Sequence, residues 1–175
     1  MTTAVPRPAP PPHALLAPTP SVRRARTEDA AELARLSRPF ARSGALRERP
    51  ASLYAAHAAD FLVTEAPGGT LEGCVGLRVH PARPGEDPPG GRAGVLYNFC
   101  VAGRSQGRGV GAGLLRAALA AARAQSLGAL FTATTGGGGL FLRYGFAPTA
   151  ARLAPESWAE SLDPRRGARI FARTL

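Results

Sequence analysis

The chain is 175 residues long, enough for one domain with a hydrophobic core and too short for two ordinary ones, so one active site is expected. Apolar residues make up 45% of it, yet no run approaches the roughly 18 consecutive apolar residues of a membrane span, so no membrane partner is expected. The net charge of +10 rests on 22 Arg and no Lys, scattered in ones and twos such as Arg23 and Arg24. That pattern reads as a compositional bias, not as the basic tract of a nucleic-acid-binding protein, although a basic surface would attract an anionic cosubstrate.

Residues 1–20 carry seven prolines and no hydrophobic period, and read as a disordered tail ahead of a single domain over 21–175. Residues 22–26 alternate as a half-buried strand does, and Thr27 is placed to cap a helix that carries Leu33 and Leu36 on one face. A second helix is expected from Pro50 to Ala59, then a hairpin of strands at 61–65 and 71–79 turned by Ala66, Pro67, Gly68 and Gly69. Residues 81–94, rich in Pro and Gly, read as a long loop. An apolar strand at 95–101 follows, then a glycine-rich stretch at 104–113 and an amphipathic helix at 114–124. The rest reads as a strand at 130–134, a short helix at 140–144, a turn at Phe146 into another strand, and a terminal strand at 168–173. These elements make an α/β fold, a mixed sheet with helices on both faces.

Cys74 and Cys100 lie inside apolar runs and are expected to be buried, reduced thiols in a cytoplasmic protein. His13, His57 and His80 share no ligand spacing with each other or with the cysteines, so no metal is expected. Chemistry is more legible at Gln106, Gly107, Arg108, Gly109, Val110 and Gly111, where strand, glycines and helix follow directly. Glycines let the backbone approach a ligand, and a helix N-terminus points unpaired N–H groups at negative charge, so this order suits a phosphate. No Lys-Ser or Lys-Thr pair follows, which excludes a Walker A loop, and the glycine spacing fits a dinucleotide fingerprint poorly. By itself the spacing is also compatible with a surface turn.

Gln106 to Gly111 resembles the acyl-CoA motif of the GNAT superfamily of N-acetyltransferases, which reads Gln or Arg, two residues, Gly, one residue, Gly or Ala. The strand Leu96, Tyr97, Asn98, Phe99, Cys100, Val101 resembles the one before that motif, and Leu140 to Phe146 resembles the family's short helix ending in Gly-Phe. The resemblance implies a GNAT fold, a mostly antiparallel sheet of six to seven strands flanked by helices on both faces. It also implies acetyl transfer from acetyl-CoA to a primary amine, a small-molecule acceptor. Backbone N–H groups over Gly107 to Gly111 would hold the pyrophosphate, with Arg108 adding a charged contact. Phe99, Cys100 and Val101 would line the pantetheine arm, the Phe99 N–H polarising the thioester carbonyl. The family's usual catalytic Glu and Tyr fall on Val95 and Phe141, so general acid and base are unassigned; Tyr97, on the face of Val95, is the candidate for ordering water or substrate.

A narrower likeness, to the acetyltransferase domain of bacterial N-acetylglutamate synthases, rests on residues 39–46, Gly73 and Cys74, residues 131–135 and residues 165–169. It implies the α-amine of an amino acid such as glutamate as acceptor, with Arg49 and Arg169 as candidates for its carboxylates. Gly136 to Gly139 departs from that subgroup and reads equally as a flexible substrate-side loop or a drifted linker. A CoA-binding sensor without turnover and a polyanion-binding module are the competing classes. Acyl chain length and oligomeric state, a homodimer included, stay open.

Overall fold

Alternating apolar residues and β-branched side chains set down seven strands, which the computed structural model describes over residues 21–81 and 91–175. The expected tail at 1–20 and the centre of the expected loop at 81–94 lie outside the described residues. The strands are β1 (Val22–Arg24), β2 (Phe61–Glu65), β3 (Leu71–His80), β4 (Ala93–Val101), β5 (Ala129–Thr134), β6 (Ala147–Pro148) and β7 (Arg169–Thr174). They form one sheet in the order β1-β2-β3-β4-β5-β7-β6, in which β4 and β5 are parallel and every other pair antiparallel.

Among the described residues five α-helices cover it. They are α1 (Ala30–Arg42), α2 (Ala51–Ala56), α3 (Val110–Ala124), α4 (Gly139–Arg143) and α5 (Glu156–Glu160). Leu114, Leu115, Ala118 and Leu119 of α3 bury against Val75, Leu77, Leu96 and Leu130 on one face, joined by Phe141 of α4. On the other face Leu33 and Leu36 of α1 and Tyr54 of α2 pack on Phe61, Val63, Cys74 and Cys100. A small third cluster sets Trp158 of α5 against Val95 and Phe131. Burying a side chain such as Leu33 contributes about 2 kcal/mol, and these clusters are what hold helices to sheet.

Several boundaries differ from the sequence expectation. Thr27 does not cap α1: residues Thr27–Asp29 form a 3-10 turn, and the Asp29 carboxylate turns back to accept from the Arg26 N–H at 2.7 Å. Asp29 also pairs with Arg23 at 2.7 Å, which ties β1 to the helix start. α2 ends at Ala56 and gives way to a 3-10 turn at Ala58–Asp60. β4 begins at Ala93, where pairing with β3 and β5 recruits residues that look like loop. α3 begins at Val110, four residues early, because Gly109 at φ +84 turns the chain directly into the helix. The sequence shows no periodicity for α5, which is too short to carry one.

Gly76 is the position where side-chain size is most constrained on the α1 face. A Cβ there would stand 2.5 Å from the ring of Tyr97, which lies across β3 from its place on β4. Gly76→Ala is expected to lower stability by about 1–3 kcal/mol, the usual cost of overpacking, read as a lower denaturation midpoint with an unchanged denaturant slope.

Candidate active site

The parallel pairing of β4 with β5 lasts only from Ala93↔Ala129 to Leu96↔Thr132. β4 continues to Val101, so its last five residues leave β5 and a gap opens between the strands. A bulge coincides with that departure. Gly76 pairs with Tyr97 and Cys74 with Cys100, so Val75 alone faces both Asn98 and Phe99. Asn98 takes φ +49, left-handed backbone that Asn tolerates better than most residues. The insertion puts consecutive residues on one face: Tyr97 touches Phe61, and the Asn98 amide reaches Ser37 of α1. Phe99 then points the other way, its ring 5.6 Å from that of Phe141.

The glycine segment stands beside this gap. The Gln106 side chain donates to the Val101 carbonyl at 3.1 Å, pinning the loop to the end of β4. Gly107 and Gly109 have φ +74 and +84, and α3 starts immediately after. Arg108 between them is exposed, whereas Val110 is buried in the core. A Cβ on Gly111 would meet Leu140 at 3.3 Å, Val101 at 3.5 Å and Phe99 at 3.7 Å, so the first turn of α3 lies against the gap. Gly113 N–H already bonds to the Gly109 carbonyl, which leaves the amides ahead of it as the donors for an anion. Glycines, strand edge and helix start therefore converge on one cradle of backbone N–H groups, chemically suited to an anion.

The gap itself is a cavity of about 290 Å³ lined by Phe99, Thr132, Thr134 and Phe141 among others. It shares Leu96, Tyr97, Asn98, Ala133 and Thr135 with a second cavity of about 370 Å³, so the two form one cleft. Among the described residues that second chamber is basic: Arg47, Arg49, Arg78 and Arg166 line it, together with His80, Trp158 and one carboxylate, Asp163. The carboxylate is already engaged by Arg165, which holds its pKa below the usual range. Burial and the Arg78 charge push His80 below its ordinary 6.5, so its imidazole is neutral at neutral pH; its Nδ1 lies 3.4 Å from Ser157 Oγ.

Tyr97 lines both chambers with its ring. Its hydroxyl crosses toward β2 and donates to Asp60 at 2.9 Å, while Arg78 and Arg49 sit 4.9 and 5.6 Å from the ring centroid. Burial and the Asp60 charge push that hydroxyl above the usual tyrosine range, so it stays a donor. Arg49 joins the cleft; Arg169, at the start of β7, stands over the Phe171 ring at 5.3 Å and is not among the residues lining it. Cys100 faces away from the gap, its thiol 3.5 Å from that of Cys74, and both are free and buried. Val95 is buried and Phe141 belongs to an aromatic cluster with Phe99, Phe146 and Phe171. Gly138, at φ +69 and with a Cβ position 2.5 Å from Phe171, caps α4, so part of the tetraglycine is required by packing.

Sequence reading missed Asn98, Arg47, Arg78, Arg166, His80 and Trp158 as cleft residues. A lone Asn inside an apolar strand was a readable signal, because Asn is depleted in strands and enriched in left-handed backbone. The others come from four separate segments and carried none. Among the described residues no three His, Cys, Asp or Glu side chains gather as a metal site, and no helix is long and apolar enough to cross a membrane.

A family model described as the acetyltransferase (GNAT) family matches residues 28–146. The fold is similar to that of an N-acetylglutamate synthase from Neisseria gonorrhoeae complexed with coenzyme A and N-acetyl-glutamate, with a TM-score of 0.77 and 27% identity over 89% of this chain. The match covers 35% of the gonococcal chain, so this chain spans about a third of that protein's length. A Mycobacterium tuberculosis protein in complex with CoA matches with a TM-score of 0.68 and 22% identity over 89% of this chain and 99% of its own. A ribosomal-protein-alanine N-acetyltransferase from Brucella melitensis matches with a TM-score of 0.65 and 18% identity, covering 89% and 99%. No curated protein matches the sequence.

Gly109→Glu places a Cβ on left-handed backbone and a carboxylate at the mouth of the cradle. Calorimetric titration with CoA is expected to show affinity at least about tenfold lower, with an unchanged circular dichroism spectrum; unchanged affinity in the folded variant would remove the loop from the cofactor site.

Proposed function

We propose that this chain, which belongs to the acetyltransferase (GNAT) family, transfers an acetyl group from acetyl-CoA to a carboxylate-bearing primary amine, the α-amine of an amino acid such as glutamate. One observation carries the acceptor class: among the described residues four arginines line the chamber that opens onto the gap in the sheet, of which Arg78 is paired with Asp60, against a single lining carboxylate that is already engaged by Arg165. An anionic acceptor satisfies that charge, whereas a polyamine would be repelled. The gonococcal structure with N-acetyl-glutamate supports the same class.

The thioester end of acetyl-CoA enters between β4 and β5, with the pyrophosphate on the amides around Gly107–Gly111 and the pantetheine along Phe99 and Val101. The acceptor lies in the arginine chamber on the α1 face, Arg49 taking a carboxylate. Attack by the amine nitrogen forms a C–N bond, negative charge collects on the carbonyl oxygen beside the Phe99 N–H, and as the carbonyl re-forms the C–S bond breaks to release CoA as a thiolate, which takes up a proton from water. The proton leaving the amine needs an acceptor, and Val95 offers none. His80, neutral and lining the chamber, takes it through water. Tyr97 shapes the chamber wall, its hydroxyl being held outside the chamber by Asp60 and Arg78. Reduced Cys74 and Cys100 fit a cytoplasmic setting.

Val95 and Phe141 also favour a second reading, a CoA-binding sensor without turnover. Acetyl-CoA consumption with glutamate, other amino acids, polyamines and peptide N-termini separates the two: turnover with amino acids and none with polyamines is expected, and CoA binding without turnover on any amine favours the sensor. In the active enzyme, kcat/KM should fall as pH falls, through a pKa under 6.5, because a depressed imidazole carries its proton only below that point. His80→Gln should abolish that limb and lower kcat about 10²-fold, the lower bound for loss of a general base, with CoA affinity within twofold.

A further inference from the structure

The bulge in β4 is held by one side chain. Asn98 is only 4% exposed, and its amide is fully engaged: Oδ1 accepts from Tyr54 Oη and from Arg49 Nη1, both at 3.1 Å, and Nδ2 donates to Ser37 Oγ at 2.9 Å and reaches Cys74 Sγ at 3.6 Å. Its carbonyl accepts from the Cys74 thiol at 3.4 Å. That thiol remains protonated, because its contact with Cys100 and its burial push it well above the usual range. Four separate segments thus meet on one residue: α1, α2, β3 and the loop bearing Arg49.

Two neighbours of Asn98 have chemistry. The peptide that follows it carries the Phe99 N–H, whose direction is set by the Asn98 backbone angles. The Arg49 guanidinium lines the acceptor chamber, and among the described hydrogen bonds only its Nη1 is engaged, which leaves the Nε and Nη2 edge for a carboxylate. A carboxylate that pulls on this fork pulls on the Asn98 amide through a single hydrogen bond of 3.1 Å.

We propose that Asn98 is a positioning residue that couples carboxylate binding at Arg49 to the orientation of the Phe99 amide at the thioester carbonyl. Filling the acceptor chamber then sets the oxyanion donor, so that amines without a carboxylate react slowly even when they reach the gap. This rests on the acyl-transfer reading of the cleft, and its test separates the two. Asn98→Gly retains the left-handed backbone without steric cost and so retains the bulge, while it removes the amide. Asn98→Asp retains an acceptor for Tyr54 and Arg49.

Asn98→Gly is expected to lower kcat at least about tenfold with CoA affinity within twofold, and Asn98→Asp to recover most of the loss. In a double-mutant cycle the effect of Arg49→Ala on kcat/KM should shrink several-fold in the Asn98→Gly background. Additive effects in the cycle, unchanged kcat in Asn98→Gly, or no recovery in Asn98→Asp would each overturn the coupling. A second readout needs no turnover. The Phe99 amide resonance in the CoA complex should shift on titration with glutarate, a dicarboxylate without an amine, and should not shift in Asn98→Gly or Arg49→Ala. A wild-type protein that shows the shift but acetylates no amine would sink the enzymatic reading and leave the coupling standing; an active enzyme without the shift would sink the coupling alone.

Discussion

A strand can hydrogen-bond to two neighbours only while it stays in step with both. β4 loses step with β3 at Asn98, where two of its residues face Val75 alone, and its parallel pairing with β5 ends at Leu96 and Thr132. The backbone beyond that point gives up half of its ladder. Hydrogen bonds from the Asn98 side chain, each worth about 1 kcal/mol net, offset the unfavourable backbone angle and fasten the bulge to both helices on that face. A gap passing through the sheet is the result, and it joins the start of α3 to the arginine-lined chamber beneath α5.

Charge is distributed unevenly across that gap. At the α3 end the groups facing it are mainly main-chain amides, since Val110 is buried and Arg108 stands out in solvent. In the chamber beneath α5 the charge is on side chains whose fields overlap: Arg49 and Arg78 lie at one tyrosine ring, with Asp60 accepting from that hydroxyl and from Arg78. Asp60 thus anchors Tyr97 and Arg78 and offsets part of the basic charge without lining the chamber. Among the described residues the arginines of this chamber outnumber the carboxylates near them, which gives it a positive potential.

The glycine segment and the strand before it were legible because their chemistry is local. A run from Gln106 to Gly111 after an apolar strand dictates its own turn geometry, whichever helices later pack on it. The start of α3 was misplaced by four residues for a related reason: Gly111 and Gly113 weaken the helical signal, and packing of Val110 and Leu114 into the core overrides it. Thr27 likewise yields its capping position to Asp29, whose carboxylate answers both the Arg26 amide and the Arg23 guanidinium, an option visible only once β1 and β2 are paired.

By itself, the sequence determined the order of strands and helices through the middle of the chain, the glycine turn that leads from β4 into α3, and the Val and Phe that stand at positions 95 and 141. Each of these depends on residues within one turn or one strand of each other. The tertiary structure alone decided which arginines line the chamber, that Arg166 and Arg78 join Arg49 while Arg169 stacks on Phe171, and that Asn98 is the junction of four segments. Those contacts link residues 37, 49, 78, 98 and 166, and a sheet's register and the helices closing over it set such distances, which no local pattern records.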